Sequence, residues 1–194
     1  MLFAVLGILS SIIFILGDIP YVRDTLTSKT KPHRVTWGIA ALMNTVGFAN
    51  QWASGARNSL WLFAAGALMT AFIFGLSFRH GVGGYAKLDI FCLVVCALGI
   101  ALWIVFDSPL MSIFATIIVD IASIVPSYAK AKRAPETETR ISWLVGSFSV
   151  LLATISVGKL DWQLLILPGA SCLLQCYMVY ILYFETKRPR PAQV

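Results

Sequence analysis

The sequence Arg34-Val35-Thr36-Trp37 returns later in the chain as Arg140-Ile141-Ser142-Trp143. A proline precedes each copy at the same distance, Pro20 in the first and Pro126 in the second, so one offset of 106 residues relates both pairs. No gap is needed between the proline and the tryptophan, and the segment between them keeps its length. The sequence therefore predicts a chain built from two copies of one unit.

The chain is too apolar for an ordinary soluble domain. Hydrophobic residues make up 58% of it and charged residues 12%, whereas soluble domains carry about 25% charge. The apolar residues form seven blocks, each near the ~20 residues that a membrane-spanning helix needs. The predicted spans are Leu2–Ile19, Val35–Ser54, Leu60–Phe78, Leu88–Phe106, Pro109–Ser127, Ile141–Val157 and Trp162–Phe184. The first block has no basic flank or convincing cleavage site, so we interpret it as a helix rather than a signal peptide.

The basic residues lie almost entirely on one side of the predicted bundle. Only Arg57 and Lys159, of 15 Lys and Arg residues, fall on the other side. The remaining thirteen are Arg23, Lys29, Lys31, Arg34, Arg79, Lys87, Lys130, Lys132, Arg133, Arg140, Lys187, Arg188 and Arg190. The positive-inside rule predicts an outside amino terminus and a cytoplasmic carboxyl terminus, in a plasma or inner membrane. Because these charges flank separate spans, they account for the net charge of +6 without nucleic-acid binding.

The repeat divides the chain into two similar parts and a connector. Residues 1–78 hold the first three helices, 79–108 the connector with helix four, 109–185 the second three helices, and 186–194 a basic tail. Three crossings reverse the side of the membrane, so a fourth crossing is needed before the second unit can enter in the same direction. The predicted fold is therefore all-α and integral to the membrane, with two parallel three-helix repeats in a 3+1+3 plan.

This organisation resembles the SWEET sugar facilitators and the wider PQ-loop family. The proline of the family's Pro-Gln pair is kept, as Pro20-Tyr21 and Pro126-Ser127, while the glutamine is replaced in both copies. The prolines that sugar facilitators also carry in helices two and six are absent, which favours the broad superfamily over sugar transport. The resemblance implies alternating access between two three-helix bundles around a central cavity lined by asparagine and tryptophan.

Asp120 is the first candidate site residue. It lies about halfway along helix five, where an acid costs ~2.5–3.5 kcal/mol on insertion scales and is expected to face the protein interior. Thr116 and Ser123 share its helix face, with Ser112 and Ser127 further along the same stripe. We expect Asp120 to couple protons or to bind solute. The alternative is an acid that is hydrogen-bonded to a neighbouring helix.

Amides and tryptophans supply the other predicted solute contacts. Asn44 lies deep in helix two, on one stripe with Trp37 and Gln51, and Gln175 lies in helix seven, one turn after Ser171. An amide donates and accepts hydrogen bonds and therefore suits a polar, neutral solute. The alternative is an interhelical hydrogen bond.

These groups are expected to line one cavity. Asn44, Gln175 and Asp120 are predicted to converge near the membrane midplane, with Trp37 and Trp143 toward the cytoplasmic end.

Two kinds of residue suggest a movable cytoplasmic gate. Pro20 and Pro126 each remove one backbone donor and are candidate hinges, the alternative being simple helix stops. Asp18 is a candidate partner of Arg34 or Arg140 across the cytoplasmic mouth, the alternative being an interfacial charge in water.

Other functional classes find little support. Cys92 and Cys96, like Cys172 and Cys176, share a helix face, but buried cysteines commonly pack as small hydrophobes, and we expect no metal site. Helix seven has no lysine for retinal, and phosphate-loop, zinc-protease and serine-nucleophile signatures are missing, so we expect neither an enzyme nor a cofactor.

The predicted function is therefore a facilitator or proton-coupled carrier of a small polar solute in the lipid bilayer. The alternative is a receptor-like protein of the same architecture that binds without transport. The sequence is compatible with a homo-oligomer.

Overall fold

The computed structural model describes residues 2–53, 60–105, 109–158, 160 and 162–185, and helices make up nearly all of them. Seven α-helices appear in this part of the chain. They are α1 (Leu2–Leu26), α2 (Arg34–Ala53), α3 (Leu60–His80), α4 (Lys87–Val105), α5 (Pro109–Arg133), α6 (Arg140–Ser156) and α7 (Trp162–Tyr180). A 3-10 turn (Pro135–Thr137) precedes α6, and a π-helical segment (Ile181–Glu185) continues α7. Arg57, Lys159, the tail 186–194 and the side chains of Gln51 and Ser112 lie outside the described residues.

Helices α1 and α5 are longer than predicted, because both continue through their prolines. Helix α1 passes Pro20 and ends at Leu26, and α5 passes Pro126 and ends at Arg133. A proline removes one backbone donor, but its φ is helical and the hydrogen bonds on either side can persist. The two prolines are therefore not helix stops, and the predicted ends at Ile19 and Ser127 are wrong.

The helices pack in a pattern that is the same in both halves of the chain. In the first half, α3 contacts both α1 and α2, and in the second half, α7 contacts both α5 and α6. Between the halves, α1 packs against α6 and α2 packs against α5. Helix α4 packs mainly on α5. The third helix of each half thus lies between the other two.

The turn between α1 and α2 meets the turn between α5 and α6. The backbone N–H of Lys31 donates to the carbonyl of Thr137 at 3.1 Å, and the hydroxyls of Thr30 and Thr139 are 2.5 Å apart. The Arg34 side chain also donates to the carbonyl of Ser77, near the end of α3. We call this end of the bundle the basic end, because every Lys and Arg that the structure describes lies there. Its cations are Arg23, Lys29, Lys31, Arg34, Arg79, Lys87, Lys130, Lys132, Arg133 and Arg140.

Within the described residues, four helical stretches are long and apolar enough to cross a membrane. They are Leu2–Leu26, Leu60–His80, Phe114–Arg133 and Leu165–Glu185. The shorter helix α6 is also apolar, and it exposes one continuous face. That face consists of Ile141, Leu144, Phe148, Leu151 and Ile155. Large exposed apolar surfaces are unfavourable in water, so these helices indicate a membrane protein.

Small residues line the seam between α1 and α6. The Ser149 hydroxyl donates to the Ser10 carbonyl at 2.7 Å. At Gly17 a Cβ atom would lie 2.7 Å from Cγ1 of Val145, so only glycine allows this approach. Close backbone contact through small residues is the usual way that helices associate in lipid. The seam joins the two halves of the chain.

Candidate functional site

Asp120 joins α5 to α7 through its side chain. The Ser171 hydroxyl donates a hydrogen bond to Oδ2 of Asp120 at 2.5 Å. The carboxyl group is half-buried and therefore faces a neighbouring helix, as an acid in a membrane bundle should. The Ser123 hydroxyl donates to the backbone carbonyl of Asp120 at 2.7 Å, and half-buried Thr116 lies one turn earlier. This geometry agrees with the alternative of an acid that is hydrogen-bonded to a neighbouring helix. Binding of a solute or a proton by Asp120 stays a prediction.

Each of the two predicted amides lies against a glycine of the adjacent helix. A Cβ atom on Gly66 of α3 would lie 2.8 Å from Cγ of Asn44, and one on Gly146 of α6 would lie 2.9 Å from Oε1 of Gln175. Asn44 also donates to the carbonyl of Ala40 at 2.8 Å. The two contacts join α2 to α3 and α6 to α7, the same helix pair in each half. Convergence of both amides with Asp120 stays a prediction.

The two tryptophans of the repeat meet each other at the basic end. The ring centroids of Trp37 and Trp143 are 6.2 Å apart. Nε1 of Trp37 donates to the hydroxyl of Tyr21 at 3.1 Å, and Tyr21 is only 1% exposed. Ile73 of α3 packs against the same group. We call Tyr21, Trp37, Ile73 and Trp143 the aromatic plug, because together they fill the space between the two halves at this end.

A buried ion pair supports the plug from the turn before α6. Nζ of Lys130 lies 2.5 Å from Oε1 of Glu138, and the two side chains are 10% and 0% exposed. Oε2 of Glu138 accepts a hydrogen bond from Nε1 of Trp143 at 2.9 Å. Lys130 also donates to the carbonyls of Lys31 and Thr137. Sequence reasoning missed Glu138 because a carboxylate in a short basic loop looks like an ordinary solvated charge.

The residue after each proline contacts the first turn of α2. Tyr21 follows Pro20 and accepts the hydrogen bond of Trp37. Ser127 follows Pro126 and donates to Oγ1 of Thr36 at 2.9 Å. Both prolines therefore lie beside the plug, where a change in helix direction would move it. Their role as hinges stays a prediction.

The predicted partners of Asp18 are engaged elsewhere. The Arg34 guanidinium donates to the carbonyls of Ser77, Gly81 and Gly83, and the Arg140 side chain is exposed. Asp18 is only 7% exposed. The ion pair with either arginine is therefore a wrong prediction, and so is the alternative of a charge in water. Arg34 bonds to nearby backbone carbonyls instead of the Asp18 carboxylate, because α3 ends directly beside Arg34.

His33 and Asp89 join the turn before α2 to the start of α4. Nε2 of His33 lies 3.3 Å from Oδ1 of Asp89. Burial lowers the pKa of His33, while Asp89 acts in the opposite direction. The Gly84 N–H donates to Oδ2 of Asp89 at 2.6 Å. The backbone φ of Gly84 is +110°, an angle that glycine adopts readily. This cluster fixes the start of the connector helix.

No three of His, Cys, Asp and Glu gather into a metal-binding group within the described ranges. Cys92, Cys96, Cys172 and Cys176 are all free thiols. Comparison with protein-family models, with curated proteins and with solved structures finds no match for this chain.

Proposed function

We propose that this chain transports a small polar solute by alternating access. Two parallel units, α1–α3 and α5–α7, would be joined by α4 and would rock against each other around a central pathway. The observation that carries this proposal is that repeat-related residues touch. Trp37 contacts Trp143, and Lys31 bonds to Thr137, and each pair is separated by the repeat offset of 106 residues. A residue that contacts its own equivalent lies close to the axis that relates the two units.

The turns at the basic end indicate how the two units are oriented relative to each other. The turn after α1 and the turn after α5 bond to each other through Thr30 and Thr139, so both helices run toward the same end. The reciprocal packing of α1 on α6 and of α2 on α5 is what a twofold axis along the bundle would produce. Parallel repeats of this kind occur among transporters, where the solute binds between the repeats.

Such a pathway needs a gate and a group that binds the solute, and we assign these roles to the aromatic plug and to Asp120. The aromatic plug lies near the axis at the basic end, where it can close the pathway. Asp120 lies further from that end, six residues before Pro126 along α5, and its second carboxyl oxygen can accept a donor from a solute. Hydroxyl or ammonium groups are the donors that a carboxylate binds best. We therefore favour a small hydroxylated or amino-bearing solute.

Flux into liposomes tests this function. Purified protein in sealed liposomes should speed the entry of at least one member of a panel of small sugars, polyols, amino acids and amines. Replacing Asp120 by asparagine should raise KM about tenfold or more, because a hydrogen bond to a charged group contributes about 1.5–3 kcal/mol. Glu185→Gln is a matched control, since that carboxylate is exposed and pairs with Lys132.

Three results would argue against the proposal. Equal flux in protein-free liposomes for the whole panel would contradict transport. Tight binding of a solute without flux would favour the receptor-like alternative. An unchanged KM in Asp120→Asn would remove Asp120 from the solute site.

A further inference from the structure

Asp18 is a buried carboxyl group with an unsatisfied oxygen. It lies in α1 and is 7% exposed. Among the residues that the structure describes, Oδ2 of Asp18 has no hydrogen-bond partner, and no Lys, Arg or His side chain forms an ion pair with it. An isolated ionised carboxylate in an apolar interior is very unfavourable, and such groups normally take up a proton instead.

A second unsatisfied polar group lies near the same end of α6, the helix packed against α1. Ser149 bonds to Ser10, and Gly17 approaches Val145, so α1 and α6 run antiparallel along this seam. Ser142 lies seven residues before Ser149 and therefore on the same face of α6, about two turns nearer the basic end. The Ser142 hydroxyl is buried and also has no partner among the described residues.

The equivalent position in the other half shows that the fold does not need an acid here. The repeat offset of 106 residues relates Asp18 to Ile124, which is packed in the apolar core with Met178. It also relates Ser142 to Thr36, whose hydroxyl accepts a hydrogen bond from Ser127. The equivalents of Asp18 and Ser142 are thus both satisfied, whereas Asp18 and Ser142 each keep a side-chain oxygen without a partner among the described residues.

Few charges can influence Asp18 from the helices packed against α1. Helix α6 has no charged side chain from Ile141 to Ser156, and α3 has none from Leu60 to Phe78. Tyr21 lies one turn further along α1, and its hydroxyl accepts the hydrogen bond of Trp37. Glu138 is paired with Lys130. A proton is therefore the simplest way to neutralise the Asp18 carboxylate.

We propose that Asp18 is a buried proton-binding site of α1, which keeps its proton while α1 is packed against its neighbours α3 and α6 and gives it to entering water when the helices separate. The role in transport rests on the proposed rocking of the two units. Binding of a proton would favour the closed basic end, and its release would favour the open one. No other co-reactant is required, because the proton passes between a carboxyl oxygen and water.

Infrared spectroscopy of the full-length protein in lipid membranes tests this site without any solute. A protonated carboxyl group has its own carbonyl-stretch band. At neutral pH we expect that band in the wild type and in Asp120→Asn, and its loss in both Asp18→Asn and Asp18→Ile. Isoleucine is the residue at the equivalent position, so the second variant keeps the site testable if asparagine impairs folding. An unchanged band in the Asp18 variants would overturn the proposal.

A cross-link tests the coupling to helix movement. Thr30 follows α1 and Thr139 precedes α6, and their hydroxyls touch. A disulfide in Thr30→Cys/Thr139→Cys should hold the seam closed, so the Asp18 band should persist to higher pH than in the reduced protein. Identical titrations in both states would overturn the coupling. Because neither measurement uses flux, failure here would leave the transport proposal standing, and failure of transport would leave the proton site standing.

Discussion

Single side chains decide how the basic end is held together. Glu138 joins α5 to α6, because it pairs with Lys130 and accepts the indole N–H of Trp143, and Lys130 in turn donates to the Lys31 carbonyl of the first half. A buried pair is costly to break, since the remaining partner keeps its charge in an apolar site. The Lys132–Glu185 pair at the same end is much more exposed, with side chains 42% and 37% accessible. The two pairs therefore form a natural comparison.

Replacing Glu138 by glutamine should destabilise the protein strongly. The change keeps the shape of the side chain but leaves Lys130 without its counter-charge, and breaking a buried pair costs about 3–5 kcal/mol. Glu185→Gln should cost less than about 1 kcal/mol, because exposed pairs are screened by water. Denaturant unfolding in detergent measures both. Equal losses of stability in the two variants would show that Glu138 does not support the plug.

The residues of the site differ in how far the sequence could predict them. Trp37 and Trp143 were predictable, because the repeat placed them at equivalent points of two helix starts. Asp120 was predictable as an interior acid from the cost of a charge in lipid. The environment of Asp18 was not predictable, because it depends on whether Arg34 bonds to Asp18 or to the carbonyls at the end of α3. Sequence spacing does not give these distances.

At the scale of helices, α1 and α5 carry the corresponding features of the two halves. Each is 25 residues long, and each contains a proline shortly before its carboxyl-terminal end at the basic end. The sequence correctly indicated the helices and their approximate starts from hydropathy. It placed the ends of α1 and α5 too early, because a proline before a polar loop usually marks a boundary, whereas tertiary packing here extends both helices beyond it.

Replacing Pro20 and Pro126 by alanine should slow transport without weakening solute binding. Alanine restores one backbone donor in each helix, and a net hydrogen bond of about 0.5–1.5 kcal/mol would slow a hinge motion about two- to tenfold. Pro168→Ala is the control, because that proline lies inside α7 and outside the plug. Stopped-flow flux and equilibrium binding together measure the effect. Unchanged rates in the double variant would contradict a hinge role.

At the scale of the molecule, the two halves are similar but not identical. Both place their third helix between the other two, and both contribute a tryptophan to the plug. They differ in how equivalent charged side chains are held. Arg34 is held by three carbonyls of the α3–α4 region, while Arg140 is exposed. The first half is thus tied to the connector at the basic end, and we expect the second half to be the more mobile one.

The proposed mechanism requires the two units to separate at the basic end for solute to pass. A disulfide between Thr30→Cys and Thr139→Cys, in a background where the four native cysteines are replaced by serine, tests it most directly. Each single variant serves as a control. Flux into liposomes should be lost in the oxidised double variant and return on reduction, while both single variants stay active throughout. Full flux through the fully oxidised, cross-linked protein would contradict the account.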